Sequence, residues 1–360
     1  MSTKATIVTF HCVPNYGAVL QAYALQKTLE SFCDEVEILD YRPKGLFSSY
    51  KNISTSNLFS FVKSIYNLFP FLKKKCRFSK FINSNLNLSD LRYYNSKDLY
   101  CNSDYVFLGS DQIWNPDILK HLDPVYFGMF PKKKEAVIAS YAASIGKADL
   151  NLSEKEFVIS ALNEINYISV REKEAENFLK EFISRPISVD VDPTLLAGPG
   201  VFQKFIKNAK RKPYVLLYSL NGRKEPFSIA YKITKYLNIE LIELSGVRKP
   251  IFKTHHKTIY DAGPEDFLTY IHNADFVITD SFHGCVFSIL FHIPFVTIPF
   301  KERSSRIINL LRLAGLENRN INNFNREILY EEINWDNVDK MIDQYRIKSI
   351  DYIRKVTALI

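Results

Sequence analysis

The sequence predicts an α/β fold built of two halves, each a parallel sheet wound with helices. Three observations carry this reading. Apolar runs of strand length alternate with segments of helical period along most of the 360 residues. A proline- and glycine-rich stretch, "DPTLLAGPG" (192–200), interrupts the alternation near the middle. The strand-then-helix order resumes after it, as expected of a second α/β unit. A chain of this length suits two domains of roughly 150–200 residues, each with its own core.

The opening "ATIVTFHCVPNYGAVLQAYALQKTLESF" reads as a strand to Phe10, a loop to about Gly17, and a helix with Leu20, Ala24, Leu25 and Leu29 on its apolar face. "VEILDY" (36–41) is a second strand, which completes a β-α-β unit and implies parallel pairing. Further strands are predicted at Tyr105–Leu108, Ala136–Ser140, Tyr167–Val170 and Ile187–Val191. After the break come strand Tyr214–Ser219, a helix near Pro226–Leu237, strand Glu240–Leu244 and helix Pro264–Asn273. Strand Phe276–Thr279, a helix near Gly284–Phe291, strand Phe295–Ile298 and helix Ser304–Ala314 follow. Two Rossmann-like halves facing a central cleft form the GT-B arrangement. The expected division is a first domain over 1–195, a second over 196–335, and a helical tail, 336–360, leaning back on the first. "LFSFVKSIYNLFPFLKKKCRFSKF" (58–81) is apolar, aromatic and basic together. It fits either a core helical hairpin interrupted by Pro70 or an amphipathic segment on a membrane surface.

Composition narrows the function classes. The five cysteines (Cys12, Cys33, Cys76, Cys101, Cys285) are odd in number, scattered and never in a Cys-x-x-Cys pair, which argues against a disulfide framework or a zinc site. The net charge of +8 is spread along the chain without a helix-turn-helix, finger or ribonucleoprotein motif, so no nucleic-acid partner is expected. An anionic small ligand or an anionic membrane surface uses the same charge. The amino terminus lacks signal-peptide organisation and no run of ~18 apolar residues occurs, so a cytoplasmic location is expected, peripheral to the cytoplasmic membrane if 58–81 docks there.

Six separated blocks, "HCVPNYGAVLQAYAL", "FLGSDQIWNP", "SYAASIG", "SVREKEA", "DPTLL" and "GPEDFLTYIHNADFVITDSFHG", occur in an order and spacing that resembles the polysaccharide pyruvyl transferase family. The resemblance spans about residues 6–300. It implies a GT-B-like fold and transfer of pyruvate from phosphoenolpyruvate onto two hydroxyls of a sugar, giving a cyclic ketal in a capsule or other exopolysaccharide, with an acceptor that is a sugar or a lipid-linked oligosaccharide. Characterised ketal-forming members often carry Arg-Leu-His where this chain has Ser281-Phe282-His283, so a donor-binding guanidinium is missing from that position. A fold of this kind also hosts nucleotide-sugar glycosyltransferases and non-catalytic carbohydrate binders.

Ketal formation from phosphoenolpyruvate needs an acid for the methylene carbon, cations for a carboxylate and a phosphate, and a polar surface for the sugar. It needs no metal or other cofactor. His283, at a predicted helix start, is the candidate acid, against the alternative of a capping or core histidine. Ser281 caps that helix or touches the ligand. Arg171, in the first turn of "REKEAENFLKEF" where a cation opposes the helix dipole, is the candidate donor-binding cation, against compensation by Glu172. Lys301, Arg303 and Arg306 in "FKERSSR" are the candidate replacements for the missing arginine, or else a solvated face. On the acceptor side stand Asn15 and Tyr16 at the first helix, and Ser110 and Asp111 after a strand. Trp114 there is either a sugar platform or core, and Tyr141 is expected on the same rim. "DVD" (190–192) resembles a metal-binding Asp-x-Asp, but Pro193 favours a turn, and no metal is expected.

Overall fold

The computed structural model describes residues 2–48, 58–146, 150–207, 212–220, 224–245, 256–298 and 304–358, with the side chains of 47, 48, 58–67 and 304 outside the description. The chain divides into two compact units. The first comprises Met1–Lys51, Ser79–Gly198 and Gln344–Ile360, and the second Asn52–Phe78 and Pro199–Asp343.

The first unit is built on β1 (Lys4–Val8), β2 (Glu35–Tyr41), β3 (Leu88–Tyr93), β4 (Tyr105–Leu108) and β5 (Val137–Ser140). They pair in parallel in the order β3-β2-β1-β4-β5. A ribbon of β6 (Ile168–Val170) and β7 (Ile187–Val189) lies beside β5, tied to it through bridges Ala139–Tyr167 and Ala143–Val170. The helix Tyr16–Leu29 starts where Asn15 accepts from the Ala18 amide, and nearly every residue in it is buried. Its two glutamines are inside because each has partners: Gln21 Nε2 donates to Thr9 Oγ1 (2.9 Å), and Gln26 Oε1 accepts from the Asn87 amide (2.8 Å).

The second unit repeats the design with β8 (Tyr214–Tyr218), β9 (Glu240–Leu244), β10 (Lys257–Ile259), β11 (Phe276–Thr279) and β12 (Phe295–Thr297). Their order is β10-β9-β8-β11-β12, again all parallel. The central strands are apolar on both faces because helices cover both sides. In each sheet the order reverses beside the first strand, between β1 and β4 and between β8 and β11. The carboxyl ends of the strands at such a switch point are where open α/β sheets bind ligands.

Three expectations change. The segment 58–81 is not a hairpin: one helix runs Leu58–Asn85 with Pro70 inside it, since proline removes one backbone donor without obliging the helix to end. Its residues through Phe78 cluster with the second unit rather than the first, where Lys73 pairs with Asp261 (2.5 Å) and Arg77 with Asp266 (2.6 Å). The tail is one helix, Trp335–Thr357, which joins the first unit from Gln344 rather than from 336. There Ser349 donates to Asp190 (2.9 Å) and Tyr352 to the Ser140 carbonyl (2.7 Å). Finally, β3 and β10, one outer strand of each sheet, have no counterpart in the sequence reading.

Candidate active site

In the second unit the stretch 279–284 forms the turn from β11 into the helix Phe282–Leu290. Thr279 donates to the Tyr218 carbonyl (2.7 Å) and its hydroxyl accepts from the Ser281 amide (3.1 Å). Asp280, buried, accepts from Ser219 Oγ (2.8 Å) and from the Leu220 amide (2.7 Å), which ties the end of β11 to the end of β8 across the switch point. Ser281 caps the helix by accepting from the Gly284 amide (3.4 Å). A Cβ on Gly284 would fall 2.3 Å from Thr279 Oγ1, so the glycine is what lets the helix start close against the strand. Thr279, Asp280, Ser281 and Gly284 therefore hold the turn together. His283, the second residue of the helix, is partly exposed, with its ring edge-on to that of Phe282 at 5.2 Å.

Ser281 is thus a buried cap. Arg306 is the third residue of the helix Ser304–Ala314, which follows β12, and it is half-buried. Lys301 and Arg303 lie outside the described residues.

In the first unit the acceptor-side candidates share the carboxyl edge of the sheet but differ in access. Asn15 is exposed and caps its helix, while Tyr16 is buried. Gly109 follows β4 at φ +124°, and a Cβ there would lie 2.3 Å from the Tyr141 carbonyl oxygen, so this approach of two backbones requires glycine. Ser110 is fully buried and donates to the Ala142 carbonyl (2.7 Å). Asp111, in left-handed backbone at φ 71°, accepts from the Gln112 amide (2.8 Å).

Trp114 is core rather than a sugar platform. It is 1% exposed, stacks on Phe127 at 5.3 Å and donates to the Tyr126 carbonyl (2.9 Å). Tyr141 is likewise not on the rim: it is wholly buried and donates to the Val191 carbonyl (3.0 Å). Burial raises its phenol well above the ordinary range.

Arg171 follows β6 in a closed ion cluster. Its Nε reaches Glu172 (3.1 Å) and its Nη1 reaches Asp192 (2.9 Å), with all three side chains buried. Burial works against its charge, but attraction from Glu172, Asp192 and Asp111 outweighs it and holds the guanidinium above its ordinary value. The charge reserved in the sequence reading for a donor is already matched by carboxylates of the same unit. "DVD" is spent in the same way: Asp190 accepts from Ser169 (2.6 Å) and Ser349, while Asp192 caps the short helix Pro193–Ala197. Among the described residues, no group of three or more His, Cys, Asp or Glu is placed to hold a metal ion.

The sequence reading passed over one cluster. His11, Asp40, Arg42 and Arg92 meet at the carboxyl edge of β1, β2 and β3, where His11 and Asp40 are buried. The block "HCVPNYGAV" contained the signal, a histidine just past the first strand, and "LDYRP" contained the other half.

The sequence profile of the family described as polysaccharide pyruvyl transferase matches residues 15–302. This chain belongs to that family. No curated protein matches the sequence significantly. Among solved structures, the UDP-GlcNAc 2-epimerase from Methanocaldococcus jannaschii is similar over 97% of this chain and 99% of its own, with TM-score 0.53 and 16% identity. An S. aureus MnaA–UDP co-structure is similar over 100% and 98%, with TM-score 0.52 and 14% identity. The UDP-GlcNAc 2-epimerase from Neisseria meningitidis bound to UDP-GlcNAc is similar over 99% of each chain, with TM-score 0.51 and 12% identity. At these identities the likeness establishes the GT-B-like fold alone.

Proposed function

We propose that this family member is a phosphoenolpyruvate-dependent pyruvyl transferase that forms a cyclic ketal on a sugar of a surface-polysaccharide precursor. The observation that carries the reading is His283, partly exposed at the start of a helix at the β8–β11 switch point, within the matched family segment. In the proposed reaction His283 gives a proton to the methylene carbon of phosphoenolpyruvate, which places positive charge on the adjacent carbon. One sugar hydroxyl attacks that carbon and loses its proton. The C–O bond to phosphate then breaks, and a second hydroxyl attacks the renewed cation. The two hydroxyl protons return one to the acid and one to the departing phosphate, so the cycle closes without metal or redox chemistry. Lys301, Arg303 and Arg306 remain the proposed cations for the donor.

The test is thermal stability of the intact protein with phosphoenolpyruvate and, separately, with nucleotide sugars. A rise in Tm with phosphoenolpyruvate is expected, by about 2.7 kcal/mol of stabilisation at a hundredfold excess over Kd. A rise with a nucleotide sugar alone would favour glycosyl transfer, and neither would favour a binding role.

We further propose that the helix Leu58–Asn85 rests on an anionic membrane surface, which suits a lipid-linked acceptor. Among the described residues no helix is long and apolar enough to cross a membrane. Phe69 and Leu72, however, are 75% and 51% exposed, and with Cys76 they form one stripe at helical spacing, flanked by the exposed Lys75. The protein is expected to sediment with vesicles of phosphatidylglycerol and phosphatidylcholine more than with phosphatidylcholine alone. Replacing Phe69 and Leu72 together by serine should weaken that binding ~10-fold or more, since each side chain loses most of its apolar burial. Equal sedimentation of parent and variant would rule the face out.

A further inference from the structure

The charge of the His11–Asp40–Arg42–Arg92 cluster does not cancel. Asp40 is the shared acceptor: its Oδ1 receives His11 Nε2 (3.1 Å) and Arg42 Nε (2.5 Å), and its Oδ2 receives Arg42 Nη2 (3.1 Å) and Arg92 Nε (2.9 Å). One carboxylate faces two guanidiniums, so the group carries at least one excess positive charge whatever the state of the ring. The other ring nitrogen, His11 Nδ1, faces the Thr9 carbonyl at 3.1 Å, so the ring is held between that carbonyl and Asp40.

The neighbouring Cys12 does not offset this. Burial pushes the Cys12 thiol up to about 12, which keeps it neutral. Burial opposes ionisation of Asp40, yet hydrogen bonds from His11, Arg42 and Arg92 outweigh it and hold the carboxyl well below its usual range. The acid is therefore fully committed to positioning the bases.

Position gives this excess charge a use. Asp40 and Arg92 are register partners on β2 and β3, Arg42 follows β2, and His11 follows β1, so all four lie at the carboxyl edge where α/β sheets receive ligands. Access is graded as a binding site requires: His11 and Asp40 form a buried base, Arg42 is 19% exposed and Arg92 48% exposed. Two guanidiniums fixed by a common carboxylate present planar donor edges, the geometry that suits phosphate oxygens.

We infer that this cluster is an anion site for a diphosphate. Under the reading of a lipid-linked acceptor, on which only the ligand's origin rests, it holds the diphosphate that joins sugar to carrier. The experiment is calorimetry on the full chain with inorganic pyrophosphate, geranyl diphosphate and UDP, for the parent, Arg92→Gln, Arg92→Lys and Arg42→Gln, with Tm checked for each. Arg92→Gln should weaken pyrophosphate and geranyl diphosphate ~10-fold or more, as loss of a charge-assisted hydrogen bond predicts, and Arg92→Lys should recover part of it. Pyrophosphate affinity that ignores Arg92→Gln and Arg42→Gln in folded variants, or the absence of millimolar binding to the parent, overturns the site. UDP held more tightly than geranyl diphosphate overturns the carrier as its source. Binding is read without turnover, so this inference and the phosphoenolpyruvate reading can fail independently.

Discussion

His283→Ala is expected to fold as the parent does and to lose about 10²- to 10⁴-fold of its transfer rate, the usual worth of general acid catalysis. The folding half of the expectation comes from the turn itself. Thr279, Asp280, Ser281 and Gly284 anchor 279–284 to the end of β8 and to one another, and all four residues and their partners are kept in the variant. The catalytic half comes from the chemistry, because an enol-ether carbon takes a proton slowly from water and the step needs a donor held in place. Steady-state kinetics with phosphoenolpyruvate and a purified acceptor, beside Tm, make the check. His283→Gln sharpens it by keeping the size and a donor while removing the titrating group. A folded alanine variant with near-parental turnover would remove His283 from the acid role, whereas a fall in kcat without a matching rise in KM would support it.

The outcome in the sequence depended on what kind of signal each element carries. Both sheets were legible through their central strands, because a strand covered on both faces must be continuously apolar, as in "YVFL", "YVLLY" and "FVIT". The missed strands β3, "LSDLRY", and β10, "KTI", are outermost and partly exposed, so they carry polar residues and show neither a run nor a clean alternation. The proline in 58–81 suggested a break that the helix does not make. Site residues were harder for a related reason: a block can mark a turn without saying which side chain leaves it. "TDSFHG" was correctly placed at a strand end and helix start, and sequence could identify Ser281 as its cap. For "GSDQIW" the sequence left Trp114 open between platform and core, and for "SYAAS" the same logic failed for Tyr141; the single polar atom of each is satisfied by a backbone carbonyl inside the core. The His11–Asp40–Arg42–Arg92 cluster joins three strands through residues up to 81 positions apart, and no local pattern announces such a meeting.

Arg171→Ala is expected to destabilise the first unit rather than merely to weaken a ligand. The guanidinium is 3% exposed, between Glu172 at 9% and Asp192 at 0%. Removing it leaves two carboxylates buried beside each other with Asp111 adding to their repulsion, and breaking a buried pair from one side costs about 3–5 kcal/mol. Asp192 also caps the helix Pro193–Ala197 and bonds Thr194 (2.6 Å), so its displacement would loosen the chain where it leaves the unit near Gly198. For a unit of this size roughly 2–4 °C of Tm accompanies each kcal/mol, so calorimetry should show a large drop in Tm. Arg171→Lys keeps the charge but cannot reach two carboxylates in the same planar fork, and should fall between the parent and Arg171→Ala. A second comparison separates support from ligand contact. If Arg171 grips the donor, Arg171→Ala at a temperature where it is still folded must lose phosphoenolpyruvate affinity by ~10-fold or more. If its charge is spent on Glu172 and Asp192, the folded fraction binds the donor as the parent does. An unchanged Tm together with weakened donor binding would restore the cation to the ligand and overturn the ion-cluster reading.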